Sequence, residues 1–117
     1  MKVLIIDPHL RTVTEAEHDG GLEVIYKLLH CERIEATAPN KLHLHGDFLY
    51  VDEEGLLGDL SKQAFFYIEG QYQPLAGYGM VLGTTKYGDN APALSTVEDV
   101  LKVITWMNID DVRRSLE

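Results

Sequence analysis

The densest set of ligand-binding groups in the sequence is Gly83-Thr84-Thr85-Lys86, with backbone N–H groups, two hydroxyls and an ammonium inside four residues. Tyr72, Tyr78 and Tyr87 add stacking faces nearby. Such a set suits a small phosphorylated or nucleobase-containing ligand, because oriented N–H groups cradle phosphate while π faces hold a base. The set belongs to a segment running from Gly70 to Asn90 with five glycines: Gly70, Gly77, Gly79, Gly83 and Gly88. Their spacing is not that of a P-loop, and no Gly-Lys-Ser/Thr follows. The same composition also describes a structural loop whose glycines take positive φ and whose tyrosines cover the core. Arg11 joins the candidate site if the first hairpin lies beside this segment. The ligand-binding candidates are therefore Arg11, Tyr78, Thr84, Thr85, Lys86 and Tyr87.

Other chemistry is weaker. His43-Leu44-His45-Gly46-Asp47 has the spacing His-x-His-x-Asp, and on a strand the two imidazoles would share a face and reach one metal. The spacing resembles the first motif of metallo-β-lactamase-type hydrolases. The motif's final His is missing, no second His cluster follows, and the chain is too short for that fold. A solvated strand face with Leu42 and Leu44 buried accounts for the same residues, so no metal is expected. No nucleophile arrangement stands out. Cys31 follows His30 directly, and sequence neighbours do not face each other on a helix. Ser95 is better placed as a helix cap, and no carboxylate pair lies in the apolar setting that acid catalysis needs. A non-enzymatic protein without cofactor is the expectation.

Nineteen acidic residues stand against ten basic ones, a net charge of −9. Duplex nucleic acid and anionic membrane surfaces are disfavoured as partners, since both need a local excess of Lys and Arg. The acidic groups themselves form a second candidate surface, at Asp52, Glu53, Glu54 and Glu69. Cys31 is the only cysteine, which removes an internal disulfide or a Cys-based zinc framework. The opening MKVLIIDP is too short an apolar run for a signal-peptide core or a membrane span. A cytoplasmic, soluble protein is expected.

The elements that must position these groups follow from pattern. With 117 residues, a single domain spanning 1–117 is expected. Lys2–Ile6 reads as a buried strand and Arg11–Glu17 as an exposed or edge strand antiparallel to it. Leu22, Ile25, Tyr26 and Leu29 at helical spacing predict a helix over 21–30. Arg33–Ala38, Lys41–His45 and Phe48–Val51 read as a three-stranded meander, and Phe65–Ile68 as a further strand. Within 70–90 only Met80–Leu82 looks like a strand. Ser95 and Glu98 form a capping-box signal for a helix whose apolar stripe continues to about residue 107. Asn108 caps a last short helix with Asp110 and Asp111 in its first turn. The architecture is α+β, a mostly antiparallel sheet of five to six strands with two main helices packed on one face.

Four stretches, MKVLIIDPHLRTVTEAEHDGGLEVIYKLLHC, YVDEEGLL, AFFYIEG and PLAGYGMVLGT, are similar to a family of small acidic phage, prophage and plasmid proteins catalogued as a domain of unknown function. The resemblance spans roughly residues 1–90 and brings no catalytic residues. It implies action against a host system, by sequestering a nucleotide signal of defence or by inhibiting a nucleic-acid-handling protein. Two readings result. One is a non-enzymatic protein holding a nucleotide-like ligand at the glycine-rich segment. The alternative is an acidic inhibitor of a basic host protein. Exposed sheet edges make a C2 homodimer the default oligomer in either case.

Overall fold

The computed structural model describes residues 1–19, 21–39 and 46–115. The expected strand at 41–45, with His43 and His45, lies outside the described residues.

Strand β1 (Lys2–Asp7) ends in a turn held by the Asp7 carboxylate, whose Oδ1 accepts from the N–H groups of His9 and Leu10 at 2.9 and 3.1 Å. β2 (Thr12–Glu17) returns antiparallel, with Lys2 opposite Glu17 and Asp7 opposite Thr12. Helix α1 (Leu22–Leu29) buries Ile25 and Leu29 of the predicted stripe and half-buries Tyr26, while Leu22 at its first turn stays exposed. It stops at His30, which takes a left-handed conformation (φ 53°), while the Cys31 N–H reaches back to the Tyr26 carbonyl at 3.0 Å.

Next come β3 (Ile34–Thr37), β4 (Asp47–Asp52), β5 (Phe65–Ile68), β6 (Leu75–Ala76), β7 (Gly79–Thr84), β8 (Asn90–Ala91), α2 (Val97–Leu101), β9 (Ile104–Met107) and α3 (Ile109–Ser115). Six strands form one antiparallel sheet in the order β2-β1-β7-β4-β3, with β8 also paired to β7. A second antiparallel sheet runs β6-β5-β9. The α+β class and the six-stranded antiparallel sheet are those the pattern implies. The helices, expected on one face, are divided. Val3, Met80 and Leu82 face α1, whereas Leu4, Ile6, Leu49 and Val81 face α2 and the inner side of the second sheet, where Phe66 and Ile68 lie. Alternation along each strand makes both faces apolar, so both need cover.

Other expectations need correction. Ile34–Thr37 pairs directly with β4, Ile34 opposite Asp52 and Thr37 opposite Leu49, so these two strands are sheet neighbours and not the outer strands of a meander. The glycine-rich segment holds more strand than Met80–Leu82, with Leu75–Ala76 in the second sheet and Gly79–Thr84 in the first. Gly79–Thr84 is the centre of the main sheet, paired to β1 on one side and β4 on the other. Two of its glycines answer to packing: a Cβ on Gly79 would stand 2.8 Å from Phe66 Cζ, and one on Gly83 2.8 Å from the Pro92 carbonyl oxygen. The helix expected to reach residue 107 stops at Leu101, and Ile104–Met107 is strand β9, with Phe66 opposite Trp106. Val97, Val100, Val103 and Ile104 all reach one core cluster, which explains why their spacing reads as one helix.

The cap also moves by one residue. Thr96 Oγ1 accepts from the Asp99 N–H at 3.1 Å, and Asp99 Oδ2 from the Thr96 N–H at 2.8 Å. Ser95 is displaced from that role because its own N–H is held by Asp47. The Asp47 carboxylate is 1% exposed; it accepts from the Ser95 N–H at 2.6 Å and the Leu94 N–H at 2.9 Å. α3 is capped as expected, Asn108 and Asp111 exchanging side-chain-to-backbone bonds at 2.9 and 3.0 Å.

Candidate functional site

The sheet registers sort the polar residues into two ends of the molecule. Asp7, Thr12, Ile34, Asp52 and Gly79 terminate their strands at one end. Lys2, Glu17, Asp47 and Thr84 lie at the other.

The six ligand-binding candidates do not converge. Arg11 and Tyr78 belong to the first end, Thr84, Thr85, Lys86 and Tyr87 to the second, with β7 between them. At strand rise this is on the order of 20 Å. Thr85 is occupied by its own turn: its hydroxyl accepts from the N–H groups of Tyr87 and Asp89 at 3.3 and 3.2 Å. Lys86 Nζ sits 5.1 Å from the centroid of the Tyr87 ring, which is 80% exposed. A cavity of about 560 Å³ adjoins this turn, lined by Met1, His18, Asp19, Gly88, Asp89 and Asn90. Its two carboxylates oppose an anionic occupant.

Tyr78 is held between two imidazoles instead. His30 stacks on it at 4.5 Å with ring planes 22° apart, and His9 meets it at 5.5 Å and 44°. Burial, and then the Asp7 charge, push its phenol above the ordinary tyrosine range. The left-handed backbone of His30 costs about 1 kcal/mol for a residue with a Cβ, and it is what turns this ring from the helix end onto Tyr78.

Around the same end the carboxylates gather. Glu53 N–H donates to the Arg33 carbonyl oxygen at 3.0 Å, so the β3 start and the β4 end are stitched together. That brings Glu32 and Glu35 to the same end as Asp52, Glu53 and Glu54: Glu35, Asp52 and Glu53 line one cleft, Glu54 pairs with Arg33, and Glu32 lies beside Lys27 and Cys31. Arg33 Nε lies 3.4 Å from Glu54 Oε1 in an exposed pair, too solvated to neutralise the group as a whole. The carbonyl end of α1 adds partial negative charge here. Asp52 is structural as well, its Oδ1 accepting from the Glu54 N–H at 2.8 Å. Glu69, predicted with this group, stands apart. It follows β5 at the end away from Gly55 and Ala76, its N–H bonded to the Val103 carbonyl at 3.0 Å. The distance along β5 is about 13 Å. Glu32 and Glu35 were missed because their place depends on the β3–β4 register; the signal available in sequence was the short Glu32-Arg33-Ile34-Glu35 run leading into a strand.

Cys31 adjoins this acidic group. Burial first, and Asp52 second, push its thiol up to about 11, against a smaller opposing effect of the Arg33 backbone N–H. At pH 8 about one molecule in a thousand is then thiolate. Alkylation by iodoacetamide at pH 8 is expected to run more than about a hundredfold slower than for an ordinary cysteine, and to keep rising about tenfold per pH unit until about pH 11. Intact-mass time courses at several pH values check this; free-thiol rates at pH 8 would contradict it.

Among the described residues no three His, Cys, Asp or Glu side chains gather to hold a metal ion. No helix there is long and apolar enough to cross a membrane. One family model, described as a domain of unknown function (DUF3846), matches residues 1–105. No curated protein and no solved structure matches the chain.

Proposed function

Because the chain belongs to the DUF3846 family, whose description assigns it no activity, we propose from its surface that it is a non-enzymatic protein which docks a basic partner protein against its acidic end. One observation carries this reading: β3–β4 pairing brings Glu32, Glu35, Asp52, Glu53 and Glu54 to one end of the molecule, where Arg33 and Lys27 are the neighbouring cations. Such a concentration steers and orients a cationic surface more effectively than the same charges dispersed. Acting on a host protein in the cytoplasm is consistent with this chemistry and belongs to the same proposal.

Glu53 and Glu54 are the side chains to reverse, because Asp52 also braces the turn. Immobilised protein is expected to retain a basic protein from a host-cell lysate at low salt and release it by about 0.5 M salt, where screening lengths fall to a few Å. The Glu53→Lys, Glu54→Lys variant is expected to lose that retention. Equal retention by both, or retention indifferent to salt, would overturn the proposal.

The nucleotide reading would place its ligand in the 560 Å³ cavity against the Thr85–Asp89 turn, whose Asp19 and Asp89 carboxylates weigh against it. Calorimetric titration with cyclic and linear nucleotides tests it; heat with any of them, lost in Lys86→Ala, supports it, and no heat with any of them ends it.

A further inference from the structure

A groove beside the acidic end is built mainly from carbon. Strand alternation turns Phe66, Ile68, Ile104 and Trp106 inward, and Tyr67, Thr105 and Met107 outward. The outward residues, with Tyr72, Gln73 and Pro74, enclose about 290 Å³, room for one large side chain. Tyr72 is 96% exposed. A tyrosine ring left wholly in water beside a preformed apolar hollow is unusual for a monomer surface and common at protein contacts. Pro74 fixes the backbone that carries the wall.

Gln73 and Pro74 are shared with a second, narrower cleft, which runs on to Glu35, Asp52 and Glu53 over Leu56 and Leu75. Leu56 is 59% exposed. It is held there by a braced turn. Gly55 N–H donates to the Asp52 carbonyl at 3.2 Å, Gln63 Nε2 donates to the Gly55 carbonyl at 2.8 Å, and a Cβ on Gly55 would stand 2.7 Å from the Ala76 oxygen. No Lys or Arg lines either hollow among the described residues.

We infer that these two hollows form one docking groove for a segment of a basic partner protein, an aromatic or large aliphatic side chain entering beside Tyr72 and a Lys or Arg lying against Glu35, Asp52 and Glu53. The inference deepens the acidic-end reading and rests on it. Charge complementarity decides the occupant. Carboxylates at one end of an apolar groove whose lining holds no Lys or Arg, the neighbouring Arg33 being paired to Glu54, disfavour a neutral or acidic peptide and disfavour a second copy of this chain, whose net charge is −9. Gln73 and Pro74 line both hollows, so one extended segment reaches anchor and cation sites within a few residues of each other.

Two synthetic decapeptides test this, each with a Lys-Arg pair and, three residues away, either phenylalanine or serine. Fluorescence anisotropy at physiological salt is expected to show the phenylalanine peptide binding about tenfold or more tightly, as burial of one aromatic side chain implies. Tyr72→Ala is expected to abolish that ratio with no loss of thermal stability, since the side chain is exposed. Glu53→Lys is expected to weaken both peptides together. Equal binding of the two peptides by the wild type, or a ratio that survives Tyr72→Ala, overturns the groove and leaves the acidic-end reading standing. Failure of both peptides to bind even at low salt overturns the acidic-end reading too. Concentration-dependent dimerisation that Tyr72→Ala abolishes would assign the groove to a second copy and overturn the inference.

Discussion

Asp47→Ala is expected to lower the free energy of unfolding by about 3 kcal/mol, from hydrogen bonds to a charged acceptor lost together with buried donors left unpaired. The carboxylate is enclosed and receives the N–H groups of both Leu94 and Ser95. Those bonds hold the chain where it leaves β8 and enters α2, whose Val100 is fully buried in the core between the two sheets. Losing them therefore affects more than one turn. Asp47→Asn keeps one acceptor oxygen and is expected to cost about half as much. Urea denaturation monitored at the single tryptophan measures both; a midpoint unchanged in Asp47→Ala would remove Asp47 from the role given to it here.

Phe66→Ala is expected to cost about 3–5 kcal/mol, the range for deleting a buried aromatic ring. Phe66 is 0% exposed and lies between β7 of the main sheet and its own second sheet, its ring over the space that Gly79 leaves free. The two positions are complementary. Gly79→Ala alone is expected to cost about 1–3 kcal/mol by overpacking, because Phe66 Cζ would be 2.8 Å away. Combined with Phe66→Leu, Gly79→Ala should cost less than the separate effects imply. A double-mutant cycle in denaturant reads this directly, and strict additivity would show that the ring and the glycine do not constrain each other.

That pair also explains where reading from sequence stopped. β1 and β5 are legible as short apolar runs rich in β-branched and aromatic residues, and β2, β4 and α1 by alternation, turn signals and helical spacing. Gly79 and Gly83 lack a side chain to contribute to any period, and they occupy the centre of the main sheet. Their absence of bulk is a packing requirement set by Phe66 and Pro92, residues of other elements that no periodicity links to them. Thr96 and Ser95 are adjacent capping candidates, and Asp47, nearly fifty positions away, decides between them. The acidic end was legible in part: Asp52, Glu53 and Glu54 are consecutive, whereas Glu32 and Glu35 join them through strand pairing and Glu69 is carried off by the second sheet. The Tyr78 ring was identified, but its imidazole neighbours were not, since His9 and His30 reach it from different elements.

The position of β7 has a consequence for how the chain is made. The β1–β2 and β3–β4 hairpins are complete by Asp52, yet neither touches the other through backbone bonds until Gly79–Thr84 lies between them. At about 5–20 residues per second, a ribosome needs roughly 1–6 s to synthesise that interval. Throughout it, two nascent ribbons present apolar faces and open hydrogen-bonding flanks to the surrounding solvent. The hazardous moment for this protein is thus translation, and a transcript broken just ahead of the codon for Gly79 would yield sticky fragments instead of a smaller working molecule.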